Sequence, residues 1–207
     1  MKGCLAYDCF GAGQKTTQHF INNINWKQDT AKNHDIFQTF QIIFQLNQMQ
    51  WYLLDAFLLI SDNDLKTKIE DFIYENEKIT NSGINEILNF NVEDYRFKIN
   101  KILKQVCNTF SLYDYKNKQK NYLGYDFKNE NIIGKDFSMA LLINANFENC
   151  ILHNVNFLGA DIRDSNLKNA DLSHSVFLTQ MQINSAKGNL KTKIPKKLFR
   201  PISWCAK

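Results

Sequence analysis

The chain is short of the residue patterns that carry catalysis, metal binding or secretion. Its five cysteines, Cys4, Cys9, Cys107, Cys150 and Cys205, are odd in number, widely spread and form no Cys-x-x-Cys pair. With no signal peptide ahead of them, they point to free thiols in a reducing, cytoplasmic setting. No segment is apolar enough to span a membrane: the best stretch, residues 42–60, carries Gln45, Asn47, Gln48, Gln50 and Asp55. The four histidines, His19, His34, His153 and His174, match neither a zinc-ligand spacing nor a nucleophile triad. The run Gly11-Ala12-Gly13-Gln14-Lys15-Thr16 invites comparison with a phosphate-binding loop, but Gln14 and Cys9 stand where that loop needs glycine. It reads as the entry to a first helix. No catalytic residue, cofactor or metal is therefore expected.

What the chain does have is a period. In steps of five from Phe127 come Ile132, Phe137, Leu142, Phe147, Leu152, Phe157, Ile162, Leu167, Leu172 and Phe177, all large and apolar. Two residues before most of them stands a small residue (Ala140, Ala145, Cys150, Val155, Ala160, Ser165, Ala170, Ser175), and one before is usually Asp or Asn. Five fits neither the 3.6 of a helix nor the 2 of a strand. A chain turning inward every five residues, with one large and one small side chain inside, is a coil with flat sides.

Runs such as Gly159-Ala160-Asp161-Ile162-Arg163 and Asn169-Ala170-Asp171-Leu172-Ser173 resemble the pentapeptide repeat proteins. The segment from Phe177-Leu178-Thr179-Gln180 through Gly188, Pro195, Arg200-Pro201 and Trp204 is similar to that family's closing segment. The resemblance implies a right-handed, four-sided parallel β-helix with twenty residues per coil. The fold class expected is thus α+β: an N-terminal α-helical bundle, a short β-helix of about three coils and a C-terminal cap. Tyr125, Glu130 and Lys135 replace the small inward residue in the first repeats, where a distorted or splayed coil is expected.

Twenty-residue stacking aligns Phe127, Phe147 and Leu167 on one face and Phe137, Phe157 and Phe177 on another. It also predicts an amide ladder of Asn129, Asn149 and Asn169 beside the alternating charges of Lys128, Glu148 and Lys168. Coils about 4.8 Å apart make a stub on the order of 14 Å tall, whose open ends need caps. Outward apolar residues are Ile133, Ile151, Leu158, Val176, Leu178, Leu141 and Ile143. Of these, Ile133, Leu141 and Ile143 are expected to dock the N-terminal domain.

Residues 1–120 read as the helical domain with a short N-terminal arm, 121–187 as the repeat, and 188–207 as a basic cap or tail. From about residue 14 to 120 apolar residues recur at helical spacing: Ile36, Phe40, Ile43, Phe44, Trp51, Leu54 and Leu58, then Leu65, Ile69, Phe72 and Ile79, then Val92, Tyr95, Ile99, Ile102, Leu103, Val106 and Phe110. Four or five helices follow. Asp62, and Asn91 with Asp94, are start signals, and Gly83 marks a joint. Residues 114–121 read as a polar linker. The last twenty residues hold six basic side chains and no acidic one (Lys191, Lys193, Lys196, Lys197, Arg200 and Lys207). The expectation is that Ile194, Leu198, Phe199 and Trp204 fold back while the lysines face water.

Two functions follow. The first is a non-enzymatic scaffold that binds an unidentified protein, with homodimerisation open, no membrane contact, and nucleic acid only through the basic tail. The second comes from the resemblance: some family members imitate duplex DNA and protect DNA gyrase or topoisomerase from quinolone-type inhibitors. Charge weighs against it, since about 14 Å of duplex DNA carries roughly eight negative charges, whereas residues 121–187 hold five basic and seven acidic side chains.

Overall fold

The computed structural model describes residues 9–20, 30–110 and 120–205. The chain divides into two compact units, Met1–Val106 and Cys107–Lys207, and each is described by itself. The linker read over 114–121 and the border expected at 120 fall against residues 111–119, outside the described residues. So do most of the N-terminal arm and Lys207.

The first unit is helical. Its described elements are α1 (Ala12–His19), α2 (Thr30–Leu59), α3 (Asn63–Thr80), α4 (Ile84–Leu88) and α5 (Val92–Phe110). The start signals act as caps: Asp62 Oδ1 accepts from Leu65 N at 2.9 Å, and Asn91 Oδ1 from Asp94 N at 3.1 Å. Gly83 precedes α4, where the Glu86 carboxylate accepts its N–H. On α5 the expected stripe Val92, Tyr95, Ile99, Ile102, Leu103 and Val106 is buried, and Tyr95 Oη donates to Phe72 O on α3.

The face expected for α2 needs correction. Leu54 and Leu58 are exposed, and the buried stripe is instead Thr39, Ile43, Leu46, Met49, Leu53, Ala56 and Ile60. This helix has apolar residues on all sides of its second half, so spacing alone admits two phases. Polar anchors favour the one that is used. Asn76, buried on α3, donates to Leu46 O at 3.0 Å, and Asn47 donates to Phe10 O at 2.9 Å. No described helix is long and apolar enough to cross a membrane.

The second unit is built from isolated parallel bridges that join residues twenty apart: Asn121 with Leu141, Asp126 with Asn146, Asp136 with Asn156, and onward through Asn156 with Val176. Its mechanism lies in the corners. From Gly124 to Asn169 every fifth residue has a left-handed φ between 57 and 77°, and at 127–130, 137–140 and later repeats the fourth residue's N–H returns to the first residue's carbonyl. A turn with positive φ at its third residue wants Gly or Asn there. Gly, Asn or Asp supplies it at every such corner but Met139.

All eleven large residues from Phe127 to Phe177 are at most 1% exposed. Phe127 and Phe147 stack face to face at 4.7 Å with 4° between planes, while Phe137 meets Phe147 edge-on at 5.8 Å. The small polar residues in the inward slots return a hydrogen bond to the previous turn: Ser165 Oγ to Leu142 O (2.7 Å), Ser175 Oγ to Leu152 O (2.9 Å) and Cys150 Sγ to Phe127 O (3.3 Å).

The five-residue rhythm ends at Phe177, whose φ of 57° breaks the phase of the corners. Leu178, just past it and expected outward, is buried; so is Val176, which still keeps the bonds of the repeat. A capping box at Thr179 and Gln182 opens α6 (Gln180–Ser185), and the chain then returns to pair with the last turn. Lys187 bridges Asn166 and Lys193 bridges Asp171, at offsets of 21 and 22 rather than twenty. Thr192, fully buried, donates to Leu167 O as the inward serines do. The open edge is thereby closed. Leu198 and Trp204 are buried in this cap, and Trp204 Nε1 donates to Ala186 O at 2.9 Å. Phe199 is not: it is 81% exposed, because Gln180 holds its backbone N–H and C=O and turns the side chain outward.

Candidate functional site

The polar side chains of the repeat are spent on the repeat itself. The Asp or Asn before each core residue accepts, through Oδ1, from the backbone N–H two residues on: Asp126 from Lys128, Asp136 from Ser138, Asn146 from Glu148, Asn156 from Leu158, Asp171 from Ser173. This Asx turn sets up the corner. The same amides bond vertically, Asn146 to Asp126 at 2.9 Å, Asn166 to Asn146 at 3.0 Å and Asn156 to Asp136 at 2.9 Å. A second ladder runs through the corners, Asn149 to Asn169 to Asn189. It reaches one step past the last repeat, to Asn189, whereas among the described residues the expected Asn129 does not bond Asn149: the first two turns part there. Lys128 and Glu148 pair at 3.8 Å on the same face.

One side of the stack gathers titratable groups. His153 and His174 meet edge-on with ring centroids 4.8 Å apart, and His153 Nε2 lies 3.4 Å from Asp171 Oδ1. Asp171 also receives the Ser173 hydroxyl at 2.6 Å and the Lys193 ammonium at 2.9 Å. Burial works against its ionisation, but these hydrogen bonds and the Lys193 charge prevail and hold its carboxyl well below the usual carboxylate range. Histidine spacing alone does not report this carboxylate, because Asp171 comes from the adjoining position of the next turn. Among the described residues no group of three His, Cys, Asp or Glu could hold a metal ion.

At the start of the stack, residues too large for the inward slot are turned to other uses. Tyr125 and Glu130 stay outside, with Tyr125 Oη donating to Glu130 Oε1 at 2.8 Å. Lys135 Nζ sits 4.9 to 5.4 Å from the ring centres of Phe127, Tyr122 and Phe137, and 3.8 Å from Glu130 Oε2. It seals the aromatic end of the core as a cation over ring faces. The expected distortion of the first turn is local. Its bridges at 121, 126 and 136 form, whereas Asn131 does not bridge Ile151. There the first two turns part around a cleft of ≈ 370 Å³ lined by Asn129, Glu130, Ile133, Glu148 and Ile151 among others.

The residues assigned to interdomain contact are Leu141, 47% exposed, and Ile133 and Ile143, both half-buried. In the first unit, Lys15 of the glycine-rich run turns to Thr80 Oγ1 at 2.8 Å, and burial pushes its ammonium pKa down. Thr16 is buried. Neither side chain is directed at an open phosphate cradle.

Comparison with known proteins matches the pentapeptide repeats, in eight copies, over residues 140–177. The chain is also 42% identical over 210 residues to the uncharacterized protein YybG of Bacillus subtilis (strain 168), an alignment covering 98% of this chain and 75% of that one. No solved structure matches.

Proposed function

The chain belongs to the pentapeptide repeat family, and from that premise we propose that its second unit is a right-handed, four-sided β-helix serving as a non-catalytic scaffold for binding another protein. The observation that carries this reading is the commitment of the repeat's polar groups. Carboxylates and amides that would be candidates for acid–base work are tied into Asx turns, vertical ladders and ion pairs of the repeat itself. Such groups stiffen a surface and leave little to reorganise around a substrate. Register supports the four-sided shape: corners every five residues and bridges every twenty give four sides per turn. Handedness is the family's.

The test is a crosslinking pull-down with the full chain, followed by reconstitution of any captured protein at defined stoichiometry. A gyrase supercoiling titration, with and without a fluoroquinolone, runs beside it. The scaffold reading expects a stoichiometric complex with a protein other than a topoisomerase and no change in supercoiling at large excess. Inhibition, or rescue from the drug, at near-stoichiometric protein would replace it with topoisomerase modulation.

A further inference from the structure

Where the first two turns part, the main chain of both is left unpaired. Most other sides make three bonds to the next turn. One runs from the corner N–H, as Gly134 N to His153 O. One runs from the core residue's N–H, as Phe137 N to Asn156 O. The third runs back down, as Asn156 N to Lys135 O. Among the described residues the side at 159–162 makes none of them, but there the cap covers the edge, with Gln182 Nε2 donating to Phe157 O and Ala160 O. On the side formed by 129–133 and 149–151 all three are absent among the described residues. The N–H groups of Asn129, Ile132 and Ile151, and the C=O groups of Glu130, Glu148 and Ile151, consequently lie at the cleft without a main-chain partner. An unpaired edge is a template for another strand.

The gap has a cause that keeps it from closing by itself. The slot of Glu130 lies over Cys150 and Ala170, and drawing a carboxylate into that column would bury a charge. Glu130 instead stays outside, held by Tyr125 Oη and near Lys135. The pentapeptide that carries it is lifted off the turn below. Lifting one side while the bridges at 126 and 136 hold produces a slot with polar main-chain groups and apolar flanks. Ile133 is half-buried and Ile151 is 51% exposed.

We propose that this cleft is a binding site for an extended segment of a partner protein, captured edge-on by main-chain hydrogen bonds, with apolar side chains at alternate positions against Ile133 and Ile151. The inference rests on the scaffold reading and adds the site and its ligand class. Unpaired donors and acceptors on a five-residue wall, about 16 Å long at strand rise, complement an extended backbone, which presents both kinds of group in alternation. Its volume of ≈ 370 Å³ lies within the ~300–1,000 Å³ of small-ligand clefts.

Amide exchange of the full chain, resolved by NMR, tests the proposal with the peptide acetyl-Thr-Val-Thr-Ile-Thr-amide at about 1 mM. In the free protein the amides of Asn129, Ile132 and Ile151 exchange fast, and those of Asn149, Leu152 and Asp171, which are bonded to neighbouring turns, exchange slowly. Added peptide slows the first set about tenfold or more, and the same peptide N-methylated at Val and Ile does not. In Glu130→Ala the slot residue is small, so the gap closes, the three amides are protected without peptide, and binding is lost. Slow exchange of the three amides in the free wild-type chain, no slowing by the peptide, or equal slowing by its N-methylated form would each overturn the site. The scaffold reading stands apart from that result, because its complex is scored by stoichiometry and should survive in Glu130→Ala if the partner docks elsewhere.

Discussion

Replacing Met139 by Asn should make the protein more stable, although it exchanges an apolar residue for a polar one. Ten successive corners from Gly124 to Asn169 have left-handed φ, and Met139, at 57°, is the one that is neither Gly, Asn nor Asp. In that region the β-carbon of an ordinary L-residue crowds the following carbonyl at a cost of about 1–2 kcal/mol, and Asn escapes part of it through local hydrogen bonding. The methionine side chain is 70% exposed, so little burial is lost. Met139→Asn should therefore gain about 0.5–1 kcal/mol, and at roughly 2–4 °C per kcal/mol for a chain of this size the unfolding midpoint rises by about 1–4 °C. Thermal unfolding followed by circular dichroism, with urea unfolding as a second probe, would read it. Met139→Val should move the other way, because β-branching aggravates the crowding. The neighbouring turn supplies a cross-check. A β-carbon on Gly159 would meet Met139 Sδ at 2.5 Å, on top of that glycine's own φ of 63°. Because the exposed Met139 side chain can swing aside, Gly159→Ala should cost about 1 kcal/mol through the glycine's φ alone, and nearly the same in a Met139→Ala background. A destabilised Met139→Asn, or Met139→Val equal to the wild type, would refute the claim that corner strain governs this position.

Phe147→Ala should cost about 3–5 kcal/mol, since the ring is fully buried between Phe127 and its edge-on neighbours; a loss below about 1 kcal/mol in urea unfolding would mean that the Phe column collapses around the gap. Asp171 has a folded-state pKa held below its unfolded value. Its stabilisation is therefore present above the ordinary carboxylate pKa near ~3.9 and is lost as pH falls toward the folded value. Asp171→Asn should lower stability at pH 7 and flatten the acid limb of the stability curve, and an unchanged acid limb would rule its ion pairing out as a contributor. Burial, with the negative charges of Asp126 and Glu130, pushes the Cys150 thiol up, while Cys205 is exposed. Iodoacetamide followed by peptide mapping should modify Cys205 in the folded protein and Cys150 only on unfolding. Early labelling of Cys150 would contradict that order.

The sequence carried the repeat because three independent demands share one period: a large residue inside, a small one two places earlier, and an Asx turn between them. A fourth demand was equally legible and less used. Asn or Gly recurs two places after most core residues, at Gly124, Asn129, Gly134, Asn144, Asn149, Asn154, Gly159 and Asn169. That is the signature of the left-handed corners, and it reaches beyond the one face where an amide ladder was foreseen. The rest was hidden where period stops constraining. Helix α2 offers apolar residues in two phases, and polar anchors such as Asn47 and Asn76, through backbone carbonyls distant in sequence, help select the buried face. Leu178 and Phe199 lie past the last repeat, where one reversed φ and one glutamine decide which way a side chain turns. No spacing rule reports either.

The departures matter more for function than the repeat does. A strict pentapeptide stack satisfies itself: its amides bond up and down, its hydroxyls return to the turn before, and its large residues are enclosed. Partners gain little from groups already paired, because breaking those bonds offsets whatever is made in their place. Unused bonding capacity accumulates instead where the motif fails. Glu130 is such a failure. Placed where Ala, Ser or Cys would lie inside, it leaves six main-chain groups of Asn129, Glu130, Ile132, Glu148 and Ile151 without the partners their counterparts have in the next turn. Lys135, the next departure, is by contrast consumed in closing the aromatic end of the core. Of two adjacent breaks in the motif, one caps the fold and the other opens it, and a recognition surface belongs at the one that opens.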